Sequence, residues 1–355
     1  MTTTEKGCTM RTTHNLHACP NLSEKIHVAL AVYDPSGNYS QHAGVTITSI
    51  FENTSSPVII HLLHDDTLTQ DNREKFIRTA QKYSQEIEFI DISDYDKKYI
   101  NDRTASEFAN KYTKGTLFRF FMQDVINLDK IIYLDCDIVV NLDISELWNI
   151  DIKDNCIAAA LDEAMMKTKN FSNVRYFLNV RCYLIGCRLN HYINAGVMIM
   201  NLKKLRERKN FAIDSLNWLN KHLHIAEYAD QDAFNALLKD SIMLIDGKFD
   251  RMIWNADSDL SDSILHGCFR RFWKVFPEMG ADKLYWHLFL RSAWGENVNP
   301  DELIEILSSI PNPVKRLSIL QRVIRRIKHE YNKLTNIPSL IIKDYYYRIK
   351  YKFSR

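Results

Sequence analysis

KIIYLDCDIVV, residues 130–140, decides how the rest of the chain is read: an apolar run passes into two aspartates, Asp135 and Asp137, and out again. Ile131–Leu134 has the composition of a buried strand. In an open α/β sheet the carboxyl ends of such strands are where ligands gather. On a regular strand, carboxylates at i and i+2 point to one face. Hard oxygen donors in that arrangement suit Mg²⁺ or Mn²⁺, which keep positions open for phosphate oxygens. Taken alone, D-x-D is a weak motif, and a solvated or helix-capping pair is its ordinary reading. The frame around it changes the odds.

Working outward, Ile26–Val32 (IHVALAV) reads as a strand closed by a turn, DPSGN at 34–38. A helical pattern follows, with Ala43, Val45, Ile47, Ile50 and Phe51 apolar, and it closes at Asn53. Strands are expected at Val58–Leu63, Ile87–Ile92, Cys156–Leu161 and Tyr192–Asn201. Helices are expected at about Thr69–Tyr83, Leu117–Ile126, Phe211–His222 and Asp230–Lys239. Strands alternating with helices predict an α/β fold with a mostly parallel sheet.

Composition narrows the class. Among 355 residues, 46% are hydrophobic and 25% charged, the balance of a globular protein with a sizeable core. No apolar run approaches the ~20 residues of a membrane-spanning helix. Met1–Pro20 lacks the apolar stretch of a secretory signal. The seven cysteines are scattered without a CxxC pair, which argues against a disulfide framework or a zinc site and for a reducing cytoplasm. Charge is uneven. Residues 311–355 carry twelve Lys or Arg against Glu330 and Asp344, a net +10, so the other 310 residues carry −8 of the overall +2. Three divisions follow: a flexible leader at 1–24, an α/β body at 25–295, and a basic, helical extension at 296–355. Basic amphipathic helices with Tyr345–Tyr347 suit an anionic membrane surface. A solvated helix packed on the body, or a nucleic-acid contact, would use the same residues; the membrane reading is preferred and no nucleic acid is expected.

Five stretches in fixed order resemble the retaining glycosyltransferases of family 8, the group that includes lipopolysaccharide galactosyl- and glucosyltransferases and glycogenin. They are NYSQHAGVTITSI (38–50), FRFFMQDVINLDKIIYLDCDIVV (118–140), YINAGVMIMNLKKL (192–205), ADQDAFNALL (229–238) and LHGCFRRFWK (265–274). The resemblance implies a GT-A type, Rossmann-like nucleotide-sugar fold and hexosyl transfer from a UDP-sugar to a glycan or lipid-linked hydroxyl, with Mn²⁺ or Mg²⁺ as cofactor. It further implies work in the cytoplasm, peripheral on the inner face of the membrane.

The resemblance also distributes roles. Asp135, Asp137 and His266 would hold the metal. Asn38 and Tyr39 would hold the nucleotide, with the tyrosine ring stacked on uracil. Arg119 and Asp162 would contact the donor's sugar or phosphates, and Asn194, Ala195 and Gly196 would form the sugar-binding turn. Asp230 and Gln231 would stand beside the reacting carbon. Gln231 is neutral and a poor nucleophile, which favours a front-face route over a covalent intermediate. Two departures from the family pattern stand out. The loop before Asn38 is longer than usual, with Asp34 the acid that ends the strand. After His266 and Gly267 the usual lysine is missing, leaving Arg271, with Arg270 as its neighbour, to meet the diphosphate. A nucleotidyltransferase would also pair carboxylates with a metal, but it would carry a glycine-rich basic loop after the first strand. A non-catalytic nucleotide-sugar-binding protein would be expected to lose the metal or sugar-face residues, and all are present.

Overall fold

The computed structural model describes residues 25–100, 113–167, 172–254, 260, 262–268, 271–274 and 280–299, together with 303, 305, 307, 336–339 and 341. Nearly all of the basic extension, and the leader, lie outside the described residues. So do Arg270 and the strongly basic stretch 311–335.

Ten strands are described: β1 Ile26–Val32, β2 Val58–His64, β3 Glu86–Asp91, β4 Lys130–Leu134, β5 Ile138–Asn141, β6 Ile157–Leu161, β7 Ile193–Asn201, β8 Ile242–Ile245, β9 Arg251–Met252 and β10 Ser263–His266. Seven form the main sheet in the order β3-β2-β1-β4-β7-β6-β8, and β5-β10-β9 form a small second sheet. β1, β2, β3 and β4 run parallel, as do β6 and β8, while β7 is antiparallel to both its neighbours. The predicted mostly parallel α/β sheet is therefore present, with one reversed strand in its middle.

Alternation along each strand sends side chains to two cores. On β1, Ile26, Val28, Leu30 and Val32 enter one, and Ala29 and Ala31 the other. β4 divides likewise, with Ile132 and Leu134 on the first face and Ile131 and Tyr133 on the second. Covered on both faces, these strands read as continuous apolar runs rather than as alternating ones. Helix α1 (Ser40–Asn53) packs Ala43, Ile47, Ile50 and Phe51 onto the first face. A Cβ on Gly44 would lie 2.2 Å from the Trp294 ring, so that glycine is what lets the Trp294 indole close onto α1. Helices Phe211–His222 and Ala229–Leu237 cover the second face through Phe211, Leu216, Leu219, Ala233 and Phe234.

Two expectations are corrected. The Leu117–Ile126 helix is a 3₁₀ segment, Lys114–Phe121, followed by one α-turn, Met122–Val125. The D-x-D residues do not lie on a regular strand: Cys136 and Asp137 form a turn, and the chain leaves the main sheet at Leu134 to enter the second at Ile138. Ile337, in the described part of the extension, is buried in a cluster that includes Val174 and Phe177 of the body. The basic stretches on which the membrane expectation rests lie outside the described residues.

Candidate active site

The reversal of β7 brings four chain ends to one edge. Leu134 and Leu161 finish their strands there, β1 runs out into Tyr33, and β7 begins there at Ile193. Asp135, Asp162 and Asn194 stand just past or at these ends. β5 and β10 pair antiparallel with Ile138 opposite His266, and the Gly267 N–H donates to the Asp137 carbonyl at 2.9 Å. That pairing brings Asp137 and His266 together across 129 residues of sequence.

One donor atom from each of Asp135, Asp137 and His266 lies within 4.8 Å of the others, and His266 Nε2 is 3.4 Å from Asp137 Oδ1. Ligands at 2.0–2.1 Å from one Mg²⁺ are at most about 4.2 Å apart, so the set needs to contract by only about half an ångström. His266 Nδ1 lies 2.7 Å from Asp250 Oδ1. A proton on Nδ1, donated to that carboxylate, fixes the ring with Nε2 toward Asp137, so that Nε2 is the nitrogen a metal would meet once it gives up its own proton. Burial works against a charged His266, yet Cys268, Asp250 and Asp137 push its pKa well above the ordinary value. Burial likewise opposes ionisation of Asp137, but the His266 charge and hydrogen bond hold its carboxyl below the usual value. The three residues are thus placed where together they could hold a cation.

Arg119 is 3% exposed, so it is no surface ion pair. Its Nη1 donates to the Ala195 carbonyl at 2.6 Å, its Nη2 to Asp135 Oδ1 at 2.8 Å, and its Nε lies 3.1 Å from Asp230 Oδ2. The Tyr133 hydroxyl donates to the same Asp135 oxygen at 2.8 Å. One cation shared by two carboxylates leaves the second undercompensated. Burial, with the Asp135 charge adding to it against Arg119, pushes Asp230 up to about 7. A 3.1 Å ion pair and a raised pKa conflict only if Arg119 is counted as Asp230's alone; the sharing resolves them.

Gln231 is fixed at both ends of its amide. Oε1 accepts from the Ala195 N–H at 3.2 Å, and Nε2 donates to Asp162 Oδ2 at 2.9 Å. The other Asp162 oxygen accepts from the Met165 N–H at 2.9 Å, and burial raises its pKa. Asn194 Oδ1 accepts from the Gly196 N–H at 2.7 Å. A Cβ on Gly196 would stand 2.3 Å from His266 Cε1, so the space that its missing side chain leaves is filled by the imidazole.

A cavity of about 400 Å³ is lined by Tyr39, Arg119, Asp135, Asp137, Asp162, Asn194, Ala195, Gly196, Asp230, Gln231, His266 and Arg271, twelve of the fifteen residues the sequence singled out. Asp34, Asn38 and Gly267 stand outside that lining. Asp34 is buried and spends its carboxylate on helix α1: Oδ1 accepts from the Tyr39 N–H at 2.9 Å, and Oδ2 from the Ser40 N–H and hydroxyl at 2.8 and 2.7 Å. Asn38 is exposed and outside the cavity wall, and Gly267 contributes only its backbone to the Asp137 pairing. Tyr39 stands in the wall with its ring edge-on to His42 and Trp273, and His42 stacks on Trp273 at 3.6 Å between centroids. Arg271 is exposed, 5.6 Å from the Trp273 ring centroid. Asp250, Tyr133, His42 and Trp273 were missed in the sequence. Their only signal there is nearness to a singled-out residue, and Asp250 lacks even that.

The model of glycosyl transferase family 8 matches residues 31–265. The chain belongs to that family. A family relative from Haemophilus influenzae, provisionally named a glycosyltransferase, is 28% identical over 61% of this chain and 62% of its own. General stress protein A of Bacillus subtilis is 27% identical over 61% of this chain and 70% of its own. The lipopolysaccharide 1,2-glucosyltransferase of Escherichia coli K12 is 27% identical over 68% and 66%. The chain thus spans roughly two thirds of these relatives' lengths. Among solved structures, the galactosyltransferase LgtC with donor and acceptor sugar analogues superposes with a TM-score of 0.59 at 22% identity, over 80% of this chain and all of that one. That likeness establishes the GT-A fold. Among the described residues no helix is long and apolar enough to cross a membrane.

Proposed function

We propose that this family 8 chain is a metal-dependent hexosyltransferase, moving glucose or galactose from a UDP donor to a glycan or lipid-linked hydroxyl with retention at the anomeric carbon. The observation that carries the reading is the convergence of Asp135, Asp137 and His266 on one wall of a cavity whose other walls hold Arg119, Asp162, Asp230 and Gln231. Lipopolysaccharide gluco- and galactosyltransferases among the relatives support a hexose donor and a glycan acceptor.

Asp135, Asp137 and His266 would hold Mn²⁺ or Mg²⁺, which when bound offsets the negative charge that builds on the departing diphosphate. Tyr39 would cover the base at the cavity edge, and Arg271, exposed beside Trp273, can swing onto the diphosphate. Arg119 holds Asp135 and Asp230 in place and brings a buried positive charge to the cavity. Gln231 cannot rotate without breaking its bonds to Ala195 and Asp162, so its amide dipole is preorganised. Its neutrality makes a covalent glycosyl intermediate on it unsuitable; a front-face route, in which the leaving phosphate helps deprotonate the acceptor, uses the residues as they stand. A binding protein without catalysis is the rival reading, and a nucleotidyltransferase the weaker one.

The deciding experiment is release of UDP from a panel of nucleotide sugars by purified protein, with Mn²⁺ or chelator, beside Asp137→Ala. Slow metal-dependent release from one donor, lost in the variant, is expected. UDP binding without turnover on any donor or acceptor would favour the binding protein, and no UDP binding at all would overturn the proposal.

A further inference from the structure

Asp230 and Gln231 enter the cavity from the first turn of helix Ala229–Leu237, and the residue before them is strained. Ala229 has φ +43° and is fully buried, a left-handed backbone that a side chain resists and glycine accepts. Such a conformation persists only where its surroundings hold it. Three groups do so, all on Asp232. Its carboxylate accepts from the Tyr228 N–H at 2.8 Å and from the Tyr192 hydroxyl at 2.5 Å, and pairs with the Arg181 guanidinium. Asp232 is 0% exposed and Arg181 1%. Arg181 also lies over the Tyr228 ring, 4.9 Å from its centroid, with Glu227 3.6 Å away. It comes from helix Ser172–Ile185, in a segment that none of the five family-like stretches covers.

We propose that Arg181 is a positioning residue for the transfer: through Asp232 it clamps the left-handed Tyr228–Ala229 turn from which Asp230 and Gln231 reach the cavity. Asp232 without its cation would be a buried, uncompensated charge, free to draw in water and let go of the Tyr228 N–H. The turn would then relax toward the ordinary helical region, and the Asp230 and Gln231 side chains, which Arg119, Ala195 and Asp162 hold at 2.9–3.2 Å, would be carried out of register. Arg181 touches neither those three residues nor the metal site. Its effect should therefore fall on turnover, not on nucleotide binding.

The inference rests on the hexosyltransferase reading for its kinetic arm only. With the donor that wild type uses, Arg181→Met should keep UDP·Mn²⁺ affinity and donor KM while kcat falls about 100-fold, the scale of an ångström misplacement at a reacting centre. Arg181→Lys should recover part of that loss, and adding Ala229→Gly to Arg181→Met should raise kcat because glycine holds the turn unaided. Hydrogen exchange supplies an arm independent of catalysis. The Tyr228 and Gln231 amides, bonded to Asp232 and to the Tyr228 carbonyl, should lose protection in Arg181→Met. If that variant is too unstable to purify, Arg181→Met with Asp232→Asn removes both buried charges, keeps the packing and replaces it in both arms. Unchanged exchange at the turn, UDP affinity falling in step with kcat, or no gain from Ala229→Gly would each overturn the clamp. A wild type inactive on every donor would overturn the hexosyltransferase reading instead and leave the exchange arm to decide this one.

Discussion

Replacing Gly196 with alanine perturbs the cation site by a single methyl group, and the size of the effect can be worked out. The added Cβ would fall 2.3 Å from His266 Cε1 and 3.0 Å from both His266 Nδ1 and Asn194 Oδ1. An ordinary carbon–carbon contact is about 3.5–4.0 Å, so something must move by more than an ångström. The imidazole is 2% exposed and tied through Nδ1 to Asp250, so it cannot swing aside freely. The Asp135 N–H donates to the Gly196 carbonyl at 2.8 Å, so the strand cannot retreat without losing that bond. Overpacking of this kind costs about 1–3 kcal/mol. If His266 relieves the clash by tilting Nε2 away from Asp137, that cost is charged to cation binding, and each 1.4 kcal/mol is tenfold in affinity. Gly196→Ala should therefore bind Mn²⁺ roughly 10–100-fold more weakly in the presence of UDP. Titration calorimetry reads this directly. The rise in melting temperature that Mn²⁺ gives should shrink in parallel, since that rise depends on the ratio of free metal to Kd. Wild-type Mn²⁺ affinity in a folded Gly196→Ala protein would refute the reasoning, because it would mean that the imagined contact is relieved without His266.

Removing the Asp250 carboxylate should act on the same ligand from behind: Asp250→Ala frees Nδ1 and should cost about 10–100-fold in metal affinity, measured by Mn²⁺ titration. Asp230 gives a pH signature in metal-free protein. Its folded pKa of about 7 lies above the ordinary 3.8, so both states are protonated at low pH and the penalty for Asp230 grows as pH rises through that interval, then levels off. Asp230→Asn should therefore match wild type near pH 4 and gain on it up to about pH 7, by at most about 4 kcal/mol; a gap that does not change with pH in chelator-treated melts would count against the raised pKa. The basic extension should bring the full chain down with vesicles containing anionic lipid and not with neutral ones, in a salt-sensitive manner; equal recovery with both would rule out charge as the reason.

How much of this was legible in the sequence depended on whether the signal was local. β1, the end of α1, and helix Phe211–His222 were readable because apolar periodicity and turn residues sit inside the elements they define. The site residues came from short stretches whose order along the chain, not whose individual letters, was informative. The strand pattern of 130–140 hid a break, since apolar residues on both sides of Asp135 and Asp137 satisfy one long strand as well as two short ones in different sheets.

By itself, the sequence determined an α/β fold with a buried sheet, a family, and a set of acids, amides and one histidine expected to share a site. Tertiary structure alone decided which of them meet. Asp34, counted among the donor-binding residues, turns both its oxygens to the N–H groups at the start of α1. Arg119, expected to contact the donor, is also the buried counter-charge of two carboxylates. Asp250 and Arg181 carried no signal at all, because what makes them matter is contact across 16 and 51 residues, with His266 and Asp232. Pairing at that range is set by how sheets and helices pack, and hydrophobic periodicity records only which face of an element is buried, not which charged group will be waiting there.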